Sequence, residues 1–231
     1  EIEEFIEMRR PTGGDPNRKS LNLHHGINIS NKFMQLVENC MTNPEDDDSW
    51  ELIDPHTKQV RETVSAKELW QRILEMRMQT GEPYIHFIDT SNDQLPFWLK
   101  EKGLEINQSN LCSEIILPTN SERTAVCCLS SLNLEYYDEW KNDPLFLQDT
   151  LEMLDNVLQN FIDNAPDTIS RARYSAMRER SVGVGALGFH AYLQKSKIPF
   201  DHLVSKLINN NIFKAISITF SCYNSNFPSI K

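Results

Sequence analysis

The chain lacks the long apolar run that a membrane-spanning helix requires. No segment of its 231 residues approaches the roughly 18 uninterrupted apolar residues of such a helix. The first five residues, Glu1 to Phe5, contain neither a basic region nor an apolar core of the kind that a secretory signal has. Both absences lead us to predict a soluble, cytoplasmic protein.

Positive charge is also scarce, because 23 lysines and arginines stand against 33 acidic residues, for a net charge of -10. Such a surface repels a phosphate backbone, which argues against a groove for nucleic acid. A small nucleotide needs only a few local donors and is therefore still compatible with this composition. Four arginines before residue 183 could meet a phosphate, an acidic partner or only solvent: Arg171, Arg173, Arg178 and Arg180.

Cysteine is sparse as well, and its spacing does not resemble a secreted disulfide framework. Two of the five cysteines, Cys127 and Cys128, are adjacent, and neighbouring cysteines form a bond only with strain. We expect a reducing compartment and a core position for Cys40. No metal site is predicted, because the side chains of His24 and His25 diverge in a strand and no further ligand lies at a usual spacing.

The run Gly183 to Gly188 matches the dinucleotide fingerprint G-x-G-x-x-G, but its context is wrong. A polar segment replaces the buried strand that should precede it, and no mononucleotide-binding unit follows. We interpret these glycines as close packing where a strand turns into a helix at Phe189 to Gln194. His86 is interpreted as a core histidine rather than a ligand.

Elsewhere the periodicity predicts alternating helices and strands. The predicted elements are a helix within 1–9, a strand over 21–29, a helix from a Ser30 cap to Cys40, an exposed acidic loop over 43–64, a helix from the capping box Ser65–Glu68 to Gly81, a strand over 83–89, and a helix from Asp143-Pro144 to Pro166. The pattern is that of a mixed α/β protein.

The most informative stretch runs from Gln108 to Pro118. If it is extended, alternation places Asn110, Cys112 and Glu114 on one face, so that an amide, a thiol and a carboxylate meet one cavity. The thiol can carry a hydrogen atom and the carboxylate can move a proton. A second predicted strand, over 124–134, carries Cys127 and Cys128, of which at most one faces that cavity.

These motifs resemble the large, catalytic subunit of class I ribonucleotide reductase. The resemblance rests on five motifs in the order of that family: Leu23 to Ile29, Thr80 to Ile85, Asn110-x-Cys112-x-Glu114 with Leu117-Pro118-Thr119, Ala125-Val126-Cys127 with Leu129 to Leu132, and Arg178 to His190. It implies an internal part of that subunit, with an incomplete share of a ten-stranded α/β barrel over residues 1–200 and an active-site loop at about 108–118. Residues 201–231 are interpreted as a divergent or unrelated tail.

The resemblance also implies roles for four residues. Cys112 would become a thiyl radical, Glu114 would accept a proton from the substrate, Asn110 would orient the sugar, and Cys127 would be one member of a redox pair. The second thiol has no matching motif upstream of Cys112, and Cys128 stands where the family does not require cysteine.

Partners follow from the same resemblance. They are a ribonucleoside diphosphate as substrate, a small (beta) subunit that holds the metal-radical cofactor, thioredoxin or glutaredoxin as reductant, and a second large subunit in a homodimer. ATP and deoxynucleotide effectors would bind family regions absent from this sequence, and the chain itself is expected to bind no cofactor.

Two alternatives stay open. The chain could be a non-catalytic piece of a split reductase that assembles with complementary chains through open sheet edges. It could also derive from a related glycyl-radical enzyme, although the glycine loop of such enzymes does not occur near residue 231.

Overall fold

A computed structural model describes the backbone of residues 1–226 and the side chains of residues 1–220. The chain divides into two compact units at Asn120 and Ser121.

The first unit is mixed in secondary structure. Its helices and strands are α1 (Ile2–Ile6), β1 (Gly26–Ile29), α2 (Asn31–Thr42), β2 (Ser49–Ile53), β3 (Val60–Ser65), α3 (Ala66–Thr80), β4 (Tyr84–Phe87), α4 (Ile88–Asp93) and α5 (Phe97–Lys100). Strands β1 and β4 pair in parallel, and β2 and β3 form an antiparallel hairpin. The unit therefore has the strand–helix–strand order that a parallel sheet requires.

Local capping explains where the two main helices begin. The Ser30 side chain accepts a hydrogen bond from the Phe33 N–H at 3.2 Å, and the Ser65 side chain accepts one from the Glu68 N–H at 3.1 Å. Gly81 ends α3 in the left-handed region, with φ of +81°. The helices predicted from these residues are confirmed, with α2 extending two residues beyond Cys40.

The core of the first unit lies between α1, β1, α2 and α3. Its buried side chains are Ile6, Ile29, Phe33, Val37, Ala66, Leu69, Ile73 and Met76. Cys40 is buried as predicted. The Trp50 ring packs edge-on against Phe33, with ring centroids 5.1 Å apart, and so places the hairpin against this core.

The loop predicted over 43–64 is wrong at 49–53 and 60–64, where β2 and β3 form a hairpin. Along β2 the half-buried residues Trp50 and Leu52 alternate with exposed ones, and this period of two is visible in the sequence. The acidic run masks the pattern. One of its members, Asp48, accepts hydrogen bonds from the Ser65 hydroxyl at 2.5 Å and the Lys67 N–H at 3.2 Å.

The second unit also combines helices with a parallel strand pair. Its elements are β5 (Leu129–Asn133), α6 (Tyr137–Trp140), α7 (Phe146–Asn164), α8 (Ser170–Glu179), β6 (Gly183–Leu187), α9 (Phe189–Lys195) and α10 (Leu203–Asn226). Strands β5 and β6 are parallel neighbours, and α7 buries one apolar face as predicted, at Leu151, Leu154, Leu158 and Ile162. Helix α7 begins two residues after Pro144, where the Asp143 carboxylate accepts a hydrogen bond from the Leu145 N–H at 2.9 Å.

The glycine run forms β6 and the turn into α9, so the close-packing interpretation is confirmed. A Cβ atom at Gly185 would lie 3.0 Å from the Ser131 hydroxyl, and one at Gly188 would collide with the Asn133 carboxamide. Gly188 also has φ of +76°, which favours glycine. These glycines allow β6 to pack closely against β5, and Gly188 allows the chain to turn into α9.

Helix α10 begins inside residues 201–231, which are predicted to be a divergent or unrelated tail. Its Ile212 and Ile216 are buried in one cluster with Leu132, Leu134 and Trp140. Residues 227–231, the end of the expected tail, lie outside the described residues. No helix in the described part of the chain is long and apolar enough to cross a membrane.

Taken by unit, the architecture is α/β with two separate two-stranded parallel sheets. Residues 1–226 contain no closed barrel, as expected for a chain that holds only part of one.

Candidate active site

The segment from Gln108 to Pro118 is a loop with a tight turn at its tip, not a strand. Leu111 and Cys112 form the turn, and Ser113 adopts φ of +64° in the left-handed region. The expected alternation of faces therefore does not hold at these positions. Loop geometry matches the expectation drawn from the family resemblance.

The turn itself brings two of the predicted site residues together. The Asn110 amide nitrogen donates to the Glu114 carboxylate at 2.7 Å, and the Asn110 amide oxygen accepts from the Glu114 N–H at 3.1 Å and from the Ile115 N–H at 2.9 Å. The Asn110 N–H donates to the Ile115 carbonyl at 3.2 Å. One side chain thus closes the turn and orients the carboxylate.

Cys112 is a free, exposed thiol between these two residues. A cysteine that serves only as a small apolar side chain is usually buried, as Cys40 is in the same unit. Cys112 is therefore not a core side chain. An amide, a thiol and a carboxylate thus lie within one five-residue turn, and their common role in an active site stays a prediction.

In the second unit, Cys127 and Cys128 have opposite environments. Cys127 is exposed, whereas Cys128 is buried and its thiol donates to the Leu154 carbonyl at 3.4 Å. Burial, together with the charges of Cys127 and Asp155, raises the pKa of the Cys128 thiol. Residues 124–128 precede β5, so the predicted strand begins five residues later than expected. Of the adjacent pair, only Cys127 is accessible to exchange partners.

Sequence reasoning missed a buried carboxylate, Glu82, which three other side chains surround. Its oxygens contact the His24 ring, the Arg9 guanidinium at 3.3 Å and the His25 ring at 3.4 Å, and they accept from the His25 N–H at 3.3 Å. Burial by itself raises the pKa of Glu82, but the hydrogen bonds and the charge of Arg9 outweigh it and lower that pKa. Glu82 lies within the motif Thr80 to Ile85, but nothing in that run indicates that side chains from residues 9–25 meet its carboxylate.

His86 is a buried histidine with both ring nitrogens satisfied, which confirms its interpretation as a core residue. Its Nδ1 lies 3.0 Å from the Asn28 carboxamide oxygen, and its Nε2 lies 2.7 Å from the Ser91 hydroxyl. Burial lowers the pKa of His86. Within the described part of the chain, no group of three or more His, Cys, Asp or Glu residues is arranged to hold a metal ion.

The arginines before β6 are partly engaged within the second unit. Arg180 holds the Asp155 carboxylate at 2.7 Å and the Gln159 carbonyl oxygen at 2.7 Å. Arg173 contacts Asp167 at 3.3 Å, and the Arg178 guanidinium lies over the Tyr174 ring. Three of the four arginines therefore make contacts within the second unit.

Comparison with known proteins identifies the family. The family model described as "Ribonucleotide reductase, barrel domain" matches residues 1–226, a range that extends past residue 200. A ribonucleoside-diphosphate reductase large subunit of invertebrate iridescent virus 3 is 46% identical over 264 residues, covering 94% of this chain and 42% of the relative. A protein of frog virus 3 (isolate Goorha), provisionally named as the same subunit, is 54% identical over 216 residues, covering 92% of this chain and 37% of the relative.

A solved structure agrees with these relatives. The alpha subunit of the class Id ribonucleotide reductase of Actinobacillus ureae superimposes with a TM-score of 0.76 at 30% identity, covering 94% of this chain and 37% of that one. The chain thus spans about two fifths of the length of these three proteins. It belongs to the ribonucleotide reductase family and is similar to part of the barrel domain of the large subunit.

Proposed function

We propose that the complete protein containing this chain reduces ribonucleoside diphosphates to deoxyribonucleotides for DNA synthesis. One observation carries the proposal within this family: the exposed Cys112 thiol lies in the turn that joins the hydrogen-bonded side chains of Asn110 and Glu114. The residues of this turn supply a hydrogen-atom carrier, a proton acceptor and a hydrogen-bonding amide within five positions.

In the proposed reaction, a thiyl radical at Cys112 takes the hydrogen atom from the 3′ carbon of the ribose, which forms an S–H bond and leaves a carbon radical. The Glu114 carboxylate accepts the proton of the 3′ hydroxyl, and the 2′ hydroxyl takes a proton from the redox dithiol and leaves as water. Glu114 returns its proton to the 3′ oxygen when the sugar is reduced. Asn110 orients the sugar while it holds Glu114. After the sugar is reduced, Cys112 returns its hydrogen atom to the 3′ carbon and becomes the thiyl radical again.

A dithiol supplies the two electrons for this reduction and is oxidised to a disulfide. Cys127 is proposed as one of its sulfurs because it is exposed and Cys128 is buried. Cys40 is buried as well, and its thiol donates to the Asp46 carbonyl at 3.1 Å. Thioredoxin or glutaredoxin would restore the dithiol by thiol–disulfide exchange.

The remaining partners are those of a class I enzyme. A small subunit would hold the metal-radical cofactor and deliver the radical to Cys112, two large subunits would form a homodimer, and effector nucleotides would bind outside this chain. A cytoplasmic location would suit both the free thiols and the reductant.

The test is Cys112→Ser in the reductase assembled from this chain, the remaining large-subunit segments and the small subunit. We expect turnover to fall below detection while nucleotide binding stays within about twofold, because serine keeps the turn but cannot carry the radical. Cys40→Ser is the matched control, since its hydroxyl can still donate to the Asp46 carbonyl. Deoxynucleotide formation by the Cys112→Ser enzyme would refute the radical role.

A second variant separates the redox step from the radical step. Cys127→Ser should stop repeated turnover with a redoxin but still allow a substrate radical to form, which electron paramagnetic resonance detects. Steady-state reduction at the rate of the unmodified enzyme would argue against Cys127 as a redox sulfur.

A further inference from the structure

The two ends of the Cys112 loop are tied to each other by one side chain. The Asn107 amide nitrogen donates to the Thr119 carbonyl at 2.6 Å, and the Thr119 N–H donates to the Glu105 carbonyl at 3.2 Å. The segment from Asn107 to Thr119 is therefore closed at its base as well as at its tip. Base closure restricts the positions that the turn with Cys112 can take.

The base of the loop is also fixed to strand β1. The Asn28 amide nitrogen donates to the Asn107 carbonyl at 2.8 Å. Gly26 lies two residues earlier on β1 and so on the same face, where a Cβ atom would come within 3.3 Å of the Gln108 side-chain nitrogen. Two consecutive loop residues thus contact two positions on one face of a sheet strand.

A hydrogen bond to His86, on the neighbouring strand β4, fixes the orientation of the Asn28 side-chain amide. Since the Asn28 nitrogen donates to Asn107, its oxygen is the atom that accepts from His86 Nδ1 at 3.0 Å. Burial lowers the pKa of His86 and so favours the neutral ring, and the contact with the Asn28 oxygen requires a proton on Nδ1. Its Nε2 lies 2.7 Å from the Ser91 hydroxyl, which also donates to the Phe87 carbonyl at 3.3 Å. The chain Ser91–His86–Asn28–Asn107 is called the loop tether below.

We propose that Asn28 and Asn107 are positioning residues that hold the Cys112 loop against β1 and β4 for the reaction. The inference rests on the proposed function and adds to it two residues that do not touch the substrate. Replacing Asn28 or Asn107 removes one hydrogen bond that holds the loop. Neither replacement removes a side chain that takes part in the proposed reaction. A displacement of about 1 Å at such a site can lower the rate about 100-fold.

The direct test is amide hydrogen exchange in the assembled reductase, read by mass spectrometry on peptides covering 107–119. Asn28→Ala and Asn107→Ala should each speed exchange in this segment by about tenfold or more, because the bonded amides of Ile115 and Thr119 lose their support. Peptides from α3 should be unchanged. Gln35→Ala is the control, since it removes an exposed amide bond to Asn39 in the same unit.

Asn28→Asp tests which end of the amide matters. Aspartate keeps an oxygen for His86 and nearly the same volume, but it has no N–H to donate to the Asn107 carbonyl. We expect its exchange and turnover to match those of Asn28→Ala. Behaviour like that of the unmodified enzyme would show that the link to Asn107 does not hold the loop.

Kinetics supply the functional arm. Both alanine variants should lower kcat by about 10- to 100-fold, with KM changed by less than about threefold. Unchanged loop exchange, or faster exchange spread over the whole unit, would overturn the positioning role. Failure of the proposed function is distinguishable, because a Cys112→Ser enzyme that still reduces nucleotides would refute it whatever the loop exchange shows.

Discussion

At the scale of single residues, Glu82 shows how a buried carboxylate stays ionised. Glu82 lies just before β4, and its neighbours Arg9, His24 and His25 all come from the segment before β1. An unpaired buried charge would be far more costly, so the three neighbours are necessary for the fold at this point. Their effect on the pKa gives the contact a pH dependence that can be measured.

We predict that this stabilisation disappears in acid. The pKa of Glu82 lies below its ordinary value of 4.5, so the contribution is fully present above pH 4.5 and is lost as the pH falls through the lower, folded value. Glu82→Gln should lower the free energy of unfolding by about 1.5–3 kcal/mol at pH 7 and by much less at low pH. Urea denaturation over a pH series measures both differences.

Glu51→Gln is the control, because Glu51 is an exposed carboxylate on β2 of the same unit. It should change the unfolding free energy little at either pH. Equal losses for Glu82→Gln at pH 7 and in acid would contradict the assignment, because they would show that charge does not stabilise this contact.

At the scale of elements, the sequence predicts those helix ends and helix faces that depend on residues close to one another in the chain. The Ser30 and Ser65 caps, the Gly81 stop and the apolar face of α7 each depend on residues within a few positions. The β2–β3 hairpin was missed because the acidic run outweighs its short alternation. The Cys112 turn was missed because Asn110 binds backbone N–H groups four and five residues ahead, which an extended chain cannot show.

For the candidate site, the sequence therefore indicates the residues but not their geometry. Asn110 and Glu114 do meet, through a turn rather than through alternation. The loop tether joins Asn28 to Asn107, 79 positions apart, and no local pattern reports a contact of that range. The roles of Asn110, Cys112, Glu114 and Cys127 stay predictions.

The passage from β6 into α9 gives an element-scale prediction. Gly188→Ala should destabilise the chain by about 1–2 kcal/mol for the left-handed backbone and by about 1–3 kcal/mol more for the collision with Asn133. Gly103→Ala is the matched control, because Gly103 has φ of +65° but nothing within 4 Å of an added Cβ. Urea denaturation followed by circular dichroism compares the two, and equal losses would argue against close packing at Gly188.

At the scale of the whole molecule, each parallel sheet is unfinished. In the described residues, β1 pairs only with β4, and β5 pairs only with β6. Each of these two sheets therefore has two open edges. Open edges of this kind pair with other chains unless they are covered. The chain also spans about two fifths of the length of its relatives, whose further sequence could supply the covering strands.

We therefore predict that the 231-residue chain self-associates when it is expressed alone and binds the remaining large-subunit segments when they are added. Analytical ultracentrifugation should show a shift to larger species with rising concentration, which the added segments reverse by forming a complex of fixed composition. Ala186→Lys places a charge on the exposed part of β6 and should weaken both associations, whereas Gln194→Lys, at an exposed position of α9, should weaken neither. If the chain stays monomeric at all concentrations and does not bind the added segments, its open sheet edges are not assembly surfaces.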